Sequence, residues 1–317
     1  MSVLNPGKYA TMNNLMSMCF QFPEMGLLTI GIAITMITAG ADLSIVSIAN
    51  LTATVNGIIL IQLMPEDASG SSVVVYMILC IFATVIIGIL CGSLNGLLIG
   101  KLSIFPILAT LGTQNLFTGI SMILTRGVGV FGTVPAALTF IGSGRILGIL
   151  PVPLILFLVA LLLVYTLIHR TPYGMKTQWF GANRKASFYA GIDNVKTVFK
   201  TYLFSALLGS VTGFLILART ASAKADYGST LVLQALLASV LGGISPLGGK
   251  GNILNVFLSI ISLQLLDSGF NFLRISSFVR ASTYGGLLIV SIVIEYIINK
   301  YQMKREAKRA IMATQDD

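Results

Sequence analysis

The sequence predicts an all-α polytopic membrane protein, one membrane domain over residues 1–317 with about nine membrane segments, some of them broken or re-entrant. Three observations carry this. The chain of 317 residues is 55% hydrophobic and only 10% charged, where a water-soluble domain is about a quarter charged. Its mean hydropathy is +0.90. Apolar windows long enough to cross about 30 Å of hydrocarbon recur along its whole length, with no soluble domain and no low-complexity linker between them.

In order, the windows run approximately over 11–40, 42–62, 73–98, 104–125, 151–169, 197–218, 230–245, 252–268 and 278–298. The first two are parted at Ala39-Gly40-Ala41-Asp42, where Gly40 is placed to break one helix and Asp42 to cap the next through the N–H groups near Ser44 and Ile45. The windows 230–245 and 252–268 are short, and hydropathy leaves two full crossings or a re-entrant pair equally open. Between 151–169 and 197–218 lies the one long polar and basic interruption, residues 172–200. Within it and just before it, Arg170, Lys176, Arg184, Lys185, Lys196 and Lys200 face a single acid, Asp193. The positive-inside rule places that tract in the cytoplasm.

Threading outward from it puts Lys101, Lys250 and the tail Lys300, Lys304, Arg305, Lys308 and Arg309 inside as well, thirteen of the 20 basic residues, with the Pro65-Glu66-Asp67 loop outside. The N-terminus then falls outside, although Met1 to Met12 carries no signal peptide or stop-transfer pattern that would export it. One further helix upstream would restore parity, as would a single long broken helix over 11–62.

The net charge of +9 flanks spans instead of forming a nucleic-acid face, so membrane lipid is the partner it suits. Cys19, Cys80 and Cys91 lie in apolar stretches without metal-ligand spacing, and His169, the single histidine, sits where a span meets the basic tract. No catalytic motif or paired carboxylates occur. Residues 241–251 form the densest glycine run, but Lys250 is followed by Gly251, so the phosphate-binding pattern fails and a tight connection between membrane segments is expected.

What remains are polar groups inside apolar windows. Asp42 and Ser44 either cap a helix at a break or line a transport path, and the two roles are compatible. Gly92 to Gly96, with Asn95, and Thr110 to Asn115, with Gly112 and Thr113, combine small residues that admit close helix approach with amides and hydroxyls that need partners in a membrane. They suit interhelical hydrogen bonding or contact with a polyhydroxylated solute. In the basic tract, Asn183 is an N-cap, Arg184 to Ala190 supply about two turns of helix, and Gly191 supplies a left-handed end. A short capped helix on a cytoplasmic loop is a handle for a docking partner.

Taken in order, these segments resemble the membrane permease subunits of bacterial ABC importers for ribose, other simple sugars and the autoinducer-2 signal. Thr38 to Ser47 resembles that family's T-G-G-I-D-L-S-V-G-S, Ser93 to Lys101 its L-N-G-L-L-I-x-K, and Ala109 to Thr113 its A-T-L-G-T. Gly181 to Ile192 resembles G-G-N-x-x-A-A-x-x-S-G-I, and Val240 to Gly251 resembles V-L-G-G-x-S-x-x-G-G-x-G. The resemblance covers nearly the whole chain. It implies a ten-helix family fold whose first helix precedes this chain, and a multi-pass subunit of the bacterial inner membrane. It also implies a second permease subunit, identical or not, and an extracytoplasmic solute-binding protein. A cytosolic ATPase would bind the ATP and magnesium, with no cofactor on this chain.

The resemblance makes the stretch from Gly181, Ala182, Asn183, Arg184, Lys185 and Ala186 through Phe188 to Gly191 the coupling helix that contacts the ATPase. By their residue types and places in the chain, Asp42, Ser44, Asn95, Thr110, Gly112, Thr113 and Asn115 are assigned to the helix break or translocation path. Ala39, Ala41 and Val46 depart from the family's Gly, Ile and Gly, and Arg184 and Lys185 stand where acids are common. Import of a nucleoside or autoinducer-2 fits the same architecture as a simple sugar. An ion-coupled secondary transporter is the rival from another class, but it calls for more ionisable groups at the midplane than Asp42 nearly alone.

The threading is testable by single-cysteine labelling in a background lacking Cys19, Cys80 and Cys91. An impermeant reagent on intact cells is expected to reach Ser69→Cys but not Lys185→Cys or Ala307→Cys. Labelling of either of the last two from outside overturns the orientation.

Overall fold

The computed structural model describes residues 11–65, 70–148 and 150–313, with side chains as far as 301 apart from 299. All nine apolar windows are helical. They form α1 (Met12–Ile37), α2 (Ile45–Gly57), α3 (Gly70–Gly96), α4 (Pro106–Thr125), α6 (Val152–His169), α9 (Asn194–Thr220), α10 (Leu231–Leu241), α11 (Ile253–Phe272) and α12 (Ser277–Ala313). α2 and α3 each end in a wider π-helical turn, Ile58–Leu63 and Leu97–Lys101. Eight of these helices are long and apolar enough to cross a membrane, and α10 at 11 residues is the short one.

α1 is the axial element. From Phe22 to Ile37 every residue is buried, because α6, α9, α10 and α11 surround it. That is why its sequence shows no polar stripe: a helix apolar on all sides belongs in a core. α12 is the opposite case, with only 6% of its apolar window buried, as suits a helix facing lipid.

α9 is the second spine and packs on α1, α2 and α3. Its contact with α3 follows from glycine spacing. Gly88, Gly92, Gly96 and Gly100 recur every fourth residue on one face of α3 and its terminal turn. A methyl at Gly92 would lie 2.8 Å from the Leu203 Cα, one at Gly96 3.0 Å from the Phe199 Cα, and one at Gly100 3.1 Å from the Val195 oxygen. Their partners also step by four along α9, in the opposite sense. Two antiparallel backbones therefore approach until only hydrogen fits between them, the close packing that replaces the hydrophobic effect within a membrane.

The ends of the bundle are fixed by contacts along α1. At one end the Ile37 oxygen accepts from Gly249 N at 2.9 Å and abuts Gly181 of the basic tract. About 20 Å back along the helix, Glu24 pairs with Arg219 at the far end of α9. α2 returns from the first end to the second, where Gly57 lies against Val130 and Ala223. The first two windows are thus two opposed helices, and the alternative of one long broken helix over 11–62 does not hold.

Residues 221–251 likewise run from the second end to the first, through an antiparallel pairing of Ser222–Ala223 with Val130–Phe131, then α10, then the glycine turn. The short windows therefore form two opposed passes, not a re-entrant pair, but α10 supplies only part of the first pass.

Three further features escaped the windows. The tract 172–200 is mostly helix: α7 (Pro172–Ala182) and α8 (Arg184–Tyr189) precede α9, which begins at Asn194. Phe180, Thr177 and Gly174 bury one side of α7, so it packs instead of looping into solvent. A short helix α5 (Ala136–Ser143) lies against α9, with Gly142 on the Ala218 backbone. Two-residue ribbons, Val130–Phe131 with Ser222–Ala223 and Arg145–Ile146 with Leu150–Pro151, are the strands among the described residues. The expectations for Met1 to Ala10 and for Glu66, Asp67 and Ser69 lie outside the described residues.

The glycine contact gives a direct test. Gly92→Ala is expected to cost about 1–3 kcal/mol, since its methyl meets backbone that cannot yield. Gly285→Ala, with nothing within 4 Å, is expected to be neutral or mildly stabilising by helix propensity. Thermal unfolding of the purified variants in detergent checks the contrast, and equal midpoints would refute the close contact.

Candidate functional site

The break between α1 and α2 is built around Asp42, which is fully buried. Contrary to the sequence expectation, the left-handed residue that ends α1 is Ala39, at φ +57°, not Gly40. Gly40 is required for space: a methyl there would come within 2.4 Å of the Tyr202 hydroxyl and 3.1 Å of Pro106. The chain then turns Asp42 inward. Its backbone N–H donates to Thr35 Oγ1 at 3.2 Å.

The Asp42 carboxylate accepts three hydrogen bonds. Oδ1 takes Ser44 N at 3.0 Å and Ser44 Oγ at 2.6 Å, and Oδ2 takes Ser205 Oγ of α9 at 2.8 Å. Ser44 Oγ in turn accepts from Asn95 Nδ2 of α3 at 2.8 Å, and Asn95 Oδ1 accepts from Thr113 Oγ1 of α4 at 2.7 Å. Thr110 Oγ1 donates to the Ala41 oxygen at 3.1 Å.

One continuous network thus ties the break to α3, α4 and α9 and gathers Asp42, Ser44, Asn95, Thr110 and Thr113. Ser205 is eleven residues after Asn194 on α9, about 16 Å along its axis, so the network is deep in the bundle. Charge-assisted bonds of this kind offset the cost of taking a carboxylate out of water. Gly112 and Asn115 are not in the network. They lie on the exposed side of α4, where a methyl added at Gly112 would meet nothing within 4 Å. Phe117 is buried in a core cluster, while Phe105, Phe131 and Phe140 are exposed.

At the basic end, α8 forms as its cap residues demand. Asn183 Oδ1 accepts from Lys185 N and Ala186 N, both at 3.0 Å, and Gly191 takes φ +77°. Ser187 is pinned between the Arg184 oxygen and Asn194 Oδ1. Arg184 stacks on Phe180, 5.0 Å from its ring centroid. Asp193 caps α9, and the backbone N–H of Lys196, then its ammonium, hold that carboxyl below the usual carboxylate range.

The outer surface of this turn is open: Ala182, Lys185 and Ala186 are exposed, as are Phe188 at 67% and Tyr189 at 86%. Its root is fixed. A methyl at Gly181 would sit 2.0 Å from the Ile37 oxygen, and one at Gly249 would meet Ala182 at 2.7 Å. The glycine run 241–251 is therefore a tight connection that seats α7 on the end of α1. A cavity of about 220 Å³ separates α8 from the Asp42 network, lined by Ala39, Ser103, Pro106, Phe180, Arg184 and Tyr202.

Sequence reasoning missed the charges at the opposite end. Arg219 donates to Glu24 in fork geometry, Nε to Oε1 at 2.6 Å and Nη2 to Oε2 at 3.0 Å, and also to the Tyr227 hydroxyl at 3.0 Å. Asp267 accepts from the Tyr284 hydroxyl at 2.8 Å and faces Arg280 at 3.6 Å. Glu24 is therefore a second buried acid besides Asp42, with Asp267 partly buried, but both lie at the far end of the bundle and not beside Asp42. The available signal was Glu24, the lone acid in an apolar helix, since such a group needs a partner of opposite charge.

The structure corrects the cap expected on α2: Ser44 is the N-cap residue and no side chain caps the helix. Asp42 caps the preceding turn through the Ser44 N–H alone, and this capping can be separated from a role for its charge. Asp42→Asn keeps an acceptor for Ser44 and is expected to fold and transport. Asp42→Leu strands buried donors on Ser44 and Ser205, at about 1–3 kcal/mol for each unsatisfied group, and is expected to lower the unfolding midpoint and uptake together. Equal uptake by the two variants would show that capping is dispensable. Loss of uptake in well-folded Asp42→Asn would assign the role to the charge.

The profile of the family described as "Branched-chain amino acid transport system / permease component" matches residues 14–294. Among curated proteins, the chain is 31% identical over 296 residues to the ribose import permease protein RbsC of Bacillus subtilis (strain 168), covering 93% of this chain and 88% of the relative. It is 29% identical over 295 residues to the autoinducer 2 import system permease protein LsrD of Escherichia coli (strain K12), covering 92% and 86%. No solved structure matches the chain. With a family match over most of its length, a buried break joined to three helices and a capped turn seated on the axial helix, the chain belongs to the permease components of the branched-chain amino acid transport type, and within them to the ribose-type ABC importer permeases.

Proposed function

We propose that this permease carries a neutral, hydroxyl-rich solute of the simple-sugar class across the bacterial inner membrane. In this reading it pairs with a second permease subunit, receives solute from an extracytoplasmic binding protein, and is driven by a cytosolic ATPase that binds ATP and magnesium. The names of the relatives, a ribose permease and an autoinducer-2 permease, support small hydroxylated cargo. So does the polar content of the break, which is almost entirely hydroxyl and amide.

The observation that carries the mechanism is the rigid seat of α7, from whose end α8 continues. Gly181 is in contact with the Ile37 oxygen, and five residues further on Asp42 holds α3, α4 and α9. A push on the exposed Phe188 and Tyr189 by an ATPase groove would reach the end of α1 with little slack. The Asp42 network would then reposition α4 relative to α9. Lys185 and Arg184 on this turn suit an acidic groove on the ATPase.

An ion-coupled mechanism has less support. Glu24 is neutralised by Arg219, and the described partners of the Asp42 carboxylate are hydroxyl and backbone donors.

Ala186→Asp places a carboxylate on the exposed face of α8 that would be desolvated on docking. It is expected to leave the permease folded and its ATPase partner bound weakly or unproductively, with solute uptake reduced about tenfold or more while ATP hydrolysis persists. Unchanged ATP-driven uptake of radiolabelled sugar in reconstituted vesicles would remove α8 from the coupling role.

A further inference from the structure

The two ion pairs that sequence reasoning missed border a hollow. Between the ends of α1, α9, α10, α11 and α12 opens a cavity of about 330 Å³, lined among others by Glu24, Arg219, Tyr227, Gln234, Asp267 and Tyr284. A second hollow of about 500 Å³, reaching Asn14, Ser17 and Asn271, shares Gln21, Arg219 and Gln264 with it. These residues are at the end opposite α8, by the Glu24 to Ile37 separation along α1.

Gln264 is the informative residue. Its side chain is only 6% exposed, it lines both hollows, and its amide has no hydrogen-bond partner among the described residues. An amide carries two donors and an acceptor, and those of Gln264 are not sealed inside the protein but open onto the hollows it lines. A polar group held this way in a wall of the cavity is a recognition group waiting for a ligand.

The charges around it define the ligand by elimination. Glu24 is matched by Arg219 in bidentate geometry, and Asp267 by Arg280 and the Tyr284 hydroxyl. The site is net neutral, so a charged ligand would lack a counter-ion and would compete with pairs already made. The remaining capacity is uncharged: the Gln264 and Gln21 amides, the Thr230 and Ser277 hydroxyls, and the Tyr227 ring, which suits the C–H face of a sugar, while the Gln234 amide is already engaged by Tyr284. The smaller hollow is near the lower end of the range for small-molecule sites, about 300–1,000 Å³.

We infer that this hollow is a binding site for a neutral polyhydroxylated molecule of monosaccharide size, separate from the Asp42 network and contained within a single permease subunit. It rests on the reading of the chain as a sugar-class importer for its choice of solute, and it adds a station for that solute at the end of the bundle remote from α8.

The test uses the assembled transporter in nanodiscs, with Cys19→Ala and Gln21→Cys, since Gln21 is exposed and lines both hollows while Cys80 and Cys91 are buried. The readout is the rate of maleimide labelling at position 21 with D-ribose as probe. D-Ribose at millimolar excess is expected to slow labelling about threefold or more, following its occupancy. Anionic gluconate and cationic glucosamine are expected to leave the rate unchanged. Gln264→Leu should abolish the protection while Lys185→Cys labels at the same rate in both backgrounds. Gln264→Glu, nearly isosteric, provides a second variant in which protection shifts from ribose to glucosamine.

The inference is overturned if ribose, galactose and xylose all leave the rate unchanged, if the charged analogues protect equally, or if protection survives Gln264→Leu. ATP-driven uptake measured in parallel separates this from the importer reading. Uptake without protection sinks the site alone, and protection without uptake sinks the importer reading while the site stands.

Discussion

A carboxylate without access to water deep among apolar helices imposes the main constraint on this fold. Asp42 is enclosed, and its charge is tolerable only because three donors converge on it. Those donors come from the break itself and from α9, and the polar groups behind them come from α3 and α4. Satisfying one group thus fixes four helices with respect to each other. The same requirement bears on the irregular backbone at residues 38–44: the N–H groups of Thr38, Ala39, Gly40, Asp42 and Ser44 donate to Thr35, Met36 and the Asp42 side chain, and the Ala41 oxygen accepts from Thr110, where no water can serve.

Around that fixed point the packing relies on absence of side chains. The glycines of α3 bring its backbone against α9, and Gly181, Gly248 and Gly249 do the same where the basic tract, the glycine turn and the end of α1 meet. Contacts of backbone on backbone have few ways to rearrange. The result is a stiff connection from the exposed turn of α8 to the polar break, interrupted only by the cavity beside Tyr202 and Arg184. Stiffness on one side and free volume on the other is a suitable arrangement for transmitting a displacement rather than absorbing it.

The two ends of the bundle handle charge in opposite ways. At the α8 end, Arg184, Lys185, Lys196 and Lys200 are at the surface and Asp193 engages one of them, leaving a basic face for an acidic partner or anionic lipid. At the other end, Glu24 with Arg219 and Asp267 with Arg280 are paired in the wall of a hollow. An unpaired charge there would face a low-dielectric interior, so pairing is a condition for having those residues at all. What pairing leaves available is hydrogen-bonding capacity without net charge.

Several features were legible in the sequence because they depend on neighbours along the chain. Hydropathy located nine helices, since crossing hydrocarbon demands continuous apolar length. The Asn183 cap and the Gly191 end emerged as read, because capping is decided within one turn. The polar residues Asp42, Ser44, Asn95, Thr110 and Thr113 were recognisable as needing partners, but nothing local says which partners. Only the tertiary structure joined them to one another and to Ser205, left Gly112 and Asn115 outside, and turned the tract 172–182 into a packed helix. It also decided that the left-handed residue after α1 is Ala39 and that glycine is needed at position 40 for the space beside Tyr202 and Pro106, and it brought Glu24 to Arg219 across 195 residues. The sequence by itself determined which segments enter the membrane and which groups cannot remain unpaired there. The pairing was decided by helix packing, because burial creates the demand for a partner while only proximity in three dimensions supplies one.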